Sequence, residues 1–201
     1  MTDTATERLV LASSSPRRRV LMTRAGYHFD VVEPPIDEPI AAVRLLTPVQ
    51  QAEALAYFKA RAVSELCPSR RVLGADTVVA AGTRVLGKPA DADHAREMLR
   101  GVSGTRHAVI TGVALLDGDL KRMIAAEVTY VTMRQMTERE IADYVASGEW
   151  IGKAGAYAIQ ETADRFVDAI EGSFTNIVGL PMELVGRMIR QLDRHEDGTA
   201  R

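Results

Sequence analysis

Leu11-Ala12-Ser13-Ser14-Ser15-Pro16-Arg17-Arg18-Arg19 concentrates more chemistry than any other stretch of this chain. It follows an apolar run, Leu9-Val10-Leu11, of strand character, and its proline suits the first turn of a helix. A strand that passes through small hydroxyl residues into a helix start points backbone N–H groups and the positive dipole end at whatever lies ahead. Guanidinium forks beside that end suit phosphate oxygens, so the segment predicts an anion site for polyphosphate. Taken alone, an ordinary strand–cap–helix joint with solvated arginines has the same pattern.

A second segment, Leu73-Gly74-Ala75-Asp76-Thr77, places a carboxylate inside an apolar strand. Burying an aspartate is costly unless it is paired or bound to a metal. Asp76 is therefore a candidate divalent-metal ligand or general base, against the plainer reading of a strand-end aspartate capping the next turn. Gly87-Lys88-Pro89 brings an ammonium into plausible reach, and Lys59 interrupts a helical pattern beside its apolar stripe. A snorkelling surface lysine would look the same as Lys59. Asp37 and Glu38, in the loop from Pro34 to Pro39, offer a second carboxylate or simply a solvated acidic loop.

The stretch from Ser147 to Gln160 is rich in small residues that let backbone approach a ligand, and Gln160 has the donor and acceptor to meet a base edge. Trp150 and Tyr157 could stack on a ring or serve only as packing. Glu171 to Pro181 again combines glycine, hydroxyls and an amide before a helix start, a second candidate polar rim.

The elements that must position these residues alternate between strand and helix. Ser15 is placed to cap a helix from Pro16 to Ala25 that stops at Gly26, and Tyr27 to Glu33 follows as a strand. Thr47-Pro48-Val49-Gln50 and Thr137-Glu138-Arg139-Glu140 are capping boxes that start two more helices, the second stopping at Gly148. Val72 to Ala80 is a strand turning at Gly82 into Val85-Leu86, and Asp91 or Asp93 caps a helix ending near Gly101. Ala108 to Leu116 and Met123 to Met133 are long strands joined at Asp117-Gly118, a hairpin signal. A short strand near Phe166 to Ile170 and a helix after Pro181 complete an α/β pattern with a mixed sheet.

Composition narrows the function classes. The chain has 201 residues, 46% of them hydrophobic, which suits one generous domain. Residues 1–8 form a polar N-terminal tail, 9–194 the domain, and 195–201 a polar C-terminal tail. The formal charge is −2 and the basic residues form no stripe, so neither nucleic acid nor a membrane surface is an expected partner. A single cysteine, Cys67, excludes an internal disulfide framework. No apolar run reaches about 18 residues and the start is polar, which leads to an expected cytoplasmic location.

Ser13-Ser14-Ser15-Pro16-Arg17-Arg18, Lys59-Ala60, Gly74-Ala75-Asp76-Thr77, Gly87-Lys88-Pro89, Gly152 to Gln160 and Gly179-Leu180-Pro181 occur in an order that resembles the Maf family. These are nucleoside triphosphate pyrophosphatases historically linked to inhibition of septum formation. The likeness runs from about Leu9 to Leu192. It implies a Maf/ITPase-like mixed sheet with flanking helices, forming two lobes around a central cleft, and a homodimer. It further implies Asp76 as catalytic proton acceptor. Ser13, Arg17, Arg18, Lys59 and Lys88 would hold the substrate phosphates, and Glu38 with Asp76 would hold a divalent metal, Mg²⁺ or Mn²⁺. Arg17, Thr77 and Gln160 match the positions that set base specificity, and Thr77 with the run from Lys153 to Gln160 favours the branch acting on dTTP and UTP. One departure stands out: the branch continues after the glutamine with glycine, often Gly-x-Gly, where this chain has Glu161-Thr162-Ala163.

The expected activity is hydrolysis of dTTP and UTP, with modified pyrimidine nucleotides as further candidates, to the monophosphate and pyrophosphate. Two rivals remain at this point: a pyrophosphatase for purine or methylated-guanosine triphosphates, and a nucleotide-binding cell-division regulator without catalysis.

Overall fold

Apolar runs and capped amphipathic stretches fold into seven strands and seven α-helices among residues 9–118, 121–159 and 162–199, which the computed structural model describes. In chain order they are β1 (Leu9–Ala12), α1 (Pro16–Arg24), β2 (Phe29–Val32), α2 (Ile40–Val43), α3 (Pro48–Leu66), β3 (Arg71–Ala81), β4 (Arg84–Leu86), α4 (Ala92–Val102), β5 (Arg106–Asp117), β6 (Lys121–Met133), α5 (Glu138–Ser147), β7 (Val167–Glu171), α6 (Phe174–Val178) and α7 (Met182–Thr199). Single 3₁₀ turns lie at Ala154–Ala156 and Thr162–Phe166. The chain is thus α/β with a mixed sheet, as its sequence predicts.

Both capping boxes form, with Thr47 and Thr137 accepting from Gln50 and Glu140 backbone N–H groups. Asp91, not Asp93, caps α4. Ser15 occupies the N-cap position of α1 but its hydroxyl makes no capping bond; instead its backbone N–H donates to Ser13 Oγ. The short helices α2 and α6 were not legible in the sequence, since four or five residues show no helical period. Helix α7 continues through Thr199, past the tail boundary expected at residue 195. Polar residues propagate a helix as readily as apolar ones, and no proline intervenes there.

The strands form one sheet in the order β2-β1-β3-β5-β6-β7, with β4 pairing only with β3. β1 lies parallel to β2 and β3, and the remaining pairs are antiparallel. Along one edge of β3, β1 pairs with Val72–Gly74 and β4 pairs with Val79–Ala81. Residues 75–78 therefore have no strand on that side. Ser13 leaves the end of β1 into this gap, and Gly87 leaves the end of β4 into it.

The same rungs interrupt the apolar core on both faces. On one face Leu73, Ala75, Val113 and Leu115 pack with α1 and α7, while Val79 and Val109 join a second cluster with α4 and α5. Thr77 and Thr111, paired across β3 and β5, lie between the two clusters. On the other face Val72 and Ala114 pack beneath α3 in one cluster and Val78 and Ile110 in another. Asp76 and Gly112 lie between these. Helix α3 crosses both clusters at close range, because a Cβ on Gly112 would lie 2.2 Å from Ala52 backbone atoms and one on Gly74 2.5 Å from the Ala56 carbonyl oxygen. Polar residues at the sheet's middle thus coincide with the strand gap, and a cleft opens there.

Candidate active site

The cleft has a volume of about 720 Å³ and gathers residues from eight separate segments. Ser13, Arg17, Arg18, Glu38, Lys59, Asp76, Thr77 and Lys88, the site residues expected from the sequence, all line it. Gln160, expected at the base edge, and the neighbouring Glu161 lie outside the described residues. Asp76 is 7% exposed and projects from the middle of β3 on the face covered by α3.

Lys59 reaches this carboxylate because Gly74 and Gly112 let α3 lie close on the sheet. Its Nζ donates to Asp76 Oδ1 at 2.5 Å and contacts Glu38 Oε1 at 2.8 Å. Lys88 Nζ lies 3.8 Å from the same Glu38 oxygen and is largely exposed. Burial raises the pKa of Glu38, but the hydrogen bond and charge of Lys59, with Lys88 and Arg18 beyond, outweigh it and hold the carboxyl below its ordinary value. Lys59, expected on phosphate, thus sits between two carboxylates.

Arg18 has a different setting from its neighbour. Its Nε donates to the Gly179 carbonyl at 2.8 Å, Nη1 to Ser13 Oγ at 3.4 Å and Nη2 to Thr77 Oγ1 at 3.2 Å. Burial draws its pKa down, while the charges of Asp76 and Glu38 oppose this. Three of the five guanidinium N–H groups are committed to the wall, leaving two for a ligand. Arg17 is half-buried, lines the cleft and has no protein partner among the described residues. It is the open fork of the pair.

The Thr77 hydroxyl is also engaged in the wall. Thr111 Oγ1 donates to the Asn176 carbonyl at 3.1 Å, which leaves Thr77 Oγ1 to donate to Thr111 Oγ1 at 2.9 Å while accepting from Arg18. Thr111 and Asn176 had no sequence signal as site-supporting residues. Asn176 is buried and its Nδ2 donates to Val109 O and Thr129 Oγ1, so it does not form the polar rim suggested by its segment. Ser173 and Thr175 bind Glu183 instead of facing the cleft, and only Ile177, Val178 and Gly179 of that segment line it.

Val79, Val109, Tyr157, Ile159 and Ile177 give the cleft an apolar wall. In the sequence these are indistinguishable from core residues. Tyr157 is anchored by a 2.7 Å hydrogen bond between its hydroxyl and His107 Nε2. Trp150 donates to the Val145 carbonyl and packs into the core, so it is no stacking platform. Gly155 adopts φ +71, its N–H donates to the Gly87 carbonyl, and a Cβ there would meet Val79 at 3.1 Å. That contact ties the apolar wall to the segment carrying Lys88. The Glu161-Thr162-Ala163 departure begins outside the described residues. Thr162 donates both its N–H and its hydroxyl to Glu149 Oε2, and Ala163 is buried in the core.

The arrangement is one cleft lined by arginines and lysines, by two carboxylates that share Lys59, and by a set of apolar side chains. Among the described residues no three His, Cys, Asp or Glu side chains gather into a metal cage. Two carboxylates facing one cleft are nevertheless the partial oxygen set that Mg²⁺ or Mn²⁺ takes up when phosphates and water complete it. The residues present fit such an ion.

Comparison with known proteins agrees with this geometry. The family described as Maf-like protein matches residues 8–192. A dTTP/UTP pyrophosphatase of Pelotomaculum thermopropionicum is 47% identical over 184 residues, covering 91% of this chain and 95% of that protein. Another of the same name, from Ruminiclostridium cellulolyticum, is 42% identical over 186 residues, 92% of this chain and 96% of its own. Among solved structures, a HAM1 protein from Coxiella burnetii is a distant likeness, covering 78% of this chain and 89% of its own at 17% identity and a TM-score of 0.45. With its motifs assembled in one cleft and a family match across nearly the whole described chain, this protein belongs to the Maf family.

Proposed function

We propose that this protein hydrolyses dTTP and UTP to the nucleoside monophosphate and pyrophosphate. The observation that carries the reading is the convergence of Asp76, Arg17, Arg18 and Lys88 on one cleft that also has an apolar wall. The names of its relatives support pyrimidine substrates over purines, and catalysis over binding alone.

In this reading the triphosphate lies along the arginines and lysines. Arg17 takes phosphate oxygens with its open fork, and Arg18 offers its two remaining N–H groups from a position fixed by Gly179, Ser13 and Thr77. The uncapped first turn of α1 adds backbone N–H groups and the helix dipole. Lys88, on an exposed and mobile stem, neutralises the outgoing pyrophosphate. The base rests against Tyr157, Ile159 and Val109. Thr77 acts through Arg18 as a positioning residue.

Asp76 and Glu38 would hold a Mg²⁺ or Mn²⁺ ion with the substrate's phosphate oxygens, and the ion would supply charge neutralisation and Lewis acidity. Water attacks the α-phosphorus, the bond from that phosphorus to the bridging oxygen breaks, and pyrophosphate leaves. Asp76 accepts the proton of the attacking water and later releases it to solvent. Positioning and charge neutralisation dominate such a displacement, which is what the cleft provides.

The test is pyrophosphate release from a panel of pyrimidine and purine triphosphates with Mg²⁺ or Mn²⁺. Turnover selective for dTTP and UTP is expected. Asp76→Asn should lower kcat by about 10² to 10⁴-fold with circular dichroism unchanged. Full activity in that variant would remove Asp76 from the chemistry, and preference for a purine would overturn the base assignment.

A further inference from the structure

Lys59 binds the two carboxylates that the proposed reaction assigns to a divalent ion, and it binds both at once. The contacts are 2.5 Å to Asp76 Oδ1 and 2.8 Å to Glu38 Oε1, with 13% of the lysine side chain exposed. The placement is rigid at its base. Neighbouring Ala60 is fully buried, and both it and Ala56 press on Gly74, so α3 cannot withdraw without breaking that packing. It is mobile at its tip, since the lysine stem has four rotatable bonds and ends in the open cleft.

An ammonium and a doubly charged ion cannot share the same two carboxylate oxygens. Each would pay the repulsion of the other at contact distance, where Coulomb energies are largest. Removing Lys59 from the pair without replacing it leaves a buried and a half-buried carboxylate facing each other, which is also unfavourable. A triphosphate changes this balance, because it brings several negative charges that give the lysine an alternative partner.

We infer that Lys59 is a built-in competing cation that keeps the Asp76–Glu38 pair closed to divalent metal in the free protein. It yields the pair only when a nucleotide gives its ammonium a phosphate oxygen to bind. Metal then enters together with the nucleotide and not before it. The lysine thereby sets the order of assembly and keeps the empty site from collecting divalent ions. This inference rests on the proposed role of the two carboxylates as metal ligands.

The experiment is a Mn²⁺ titration of nucleotide-free protein, reading the electron paramagnetic resonance signal of the unbound ion. The unaltered chain, Lys59→Met, Lys59→Gln and Lys59→Met with Asp76→Asn are compared, each checked for folding by circular dichroism. Removing the ammonium should tighten Mn²⁺ binding about tenfold or more, the size of a typical site-to-site coupling. Adding Asp76→Asn should cancel that gain. In the unaltered chain without nucleotide, Mn²⁺ at concentrations that load Lys59→Met should leave the rate of Lys59 amidination by methyl acetimidate, followed by mass spectrometry, unchanged, because the amine keeps its two carboxylate partners. Unchanged or weaker Mn²⁺ binding in both single variants, or Lys59 amidination that such Mn²⁺ speeds without nucleotide, would overturn the inference while chelator-sensitive turnover leaves the metal assignment standing. Turnover that survives a chelator would overturn the metal assignment and the inference with it.

Discussion

Arg17 and Arg18 are adjacent, chemically identical and differently employed. A helix turns by about 100° per residue, so neighbouring side chains leave it in different directions. Arg18 points into the wall formed by Gly179 and Thr77, and Arg17 faces the open cleft. A similar division separates the visible chemistry from its support at His107 and Tyr157. Burial holds the His107 pKa down to about 4 from an ordinary 6.5, with a backbone contact at Thr105 opposing, and burial likewise pushes the Tyr157 hydroxyl up. The sign of the consequence is fixed. Between about pH 6.5 and 4 the unfolded chain binds a proton at His107 that the folded chain refuses, so stability present above pH 6.5 is lost as pH falls. From pH 7 to 5 this loss should amount to about 2 kcal/mol, to be measured by urea denaturation, and His107→Gln should remove that part of the slope.

At the scale of elements, helix α3 is the part on which the site depends most. It carries Lys59, and its distance from the sheet is set by two glycines where β3 and β5 pass beneath it. A methyl group at Gly112 would fall 2.2 Å from Ala52 backbone atoms, which cannot yield as a flexible side chain would. Gly112→Ala should therefore destabilise the protein by about 1–3 kcal/mol or more, measured by urea denaturation. It should also lower turnover, because α3 must lift Lys59 away from Asp76. Gly101→Ala is the control: it lies in α4 with nothing within 4 Å of the added methyl, so it should be neutral or stabilising by up to about 1 kcal/mol.

For the whole molecule, charge is distributed against the average. The chain carries −2 overall, yet Arg17, Arg18, Lys59, Lys88 and Lys153 line the cleft against the carboxylates of Glu33, Glu38 and Asp76, a local excess of positive charge. A cleft of one sign in a weakly negative molecule focuses its field on an approaching anion. Raising KCl from 20 to 300 mM at fixed metal should therefore raise KM for dTTP several-fold with a smaller change in kcat, since screening shortens the Debye length from about 20 Å to below 6 Å. A salt-independent KM would mean that these cations do not guide binding. No described helix is long and apolar enough to cross a membrane.

How much was legible follows the distance over which each interaction acts. Capping boxes at Thr47 and Thr137, the hairpin at Asp117-Gly118 and the helix start at Pro16 are local, and a few adjacent residues suffice to encode them. The residue types for phosphate and for a carboxylate in an apolar strand were visible for the same reason. Their partners were not. Lys59 meets Asp76 across 17 positions, Arg18 meets Thr77 across 59 and Gly179 across 161, and each meeting depends on strand register and on how closely α3 lies on the sheet. The amino-acid sequence by itself determined which groups could do the chemistry and the elements that carry them. Only the tertiary structure decided that one lysine would neutralise two carboxylates, that one arginine of a pair would be spent on the wall, and that apolar strand residues would face a ligand. A cleft is an interruption of packing, and packing is a property of segments brought together from across the chain.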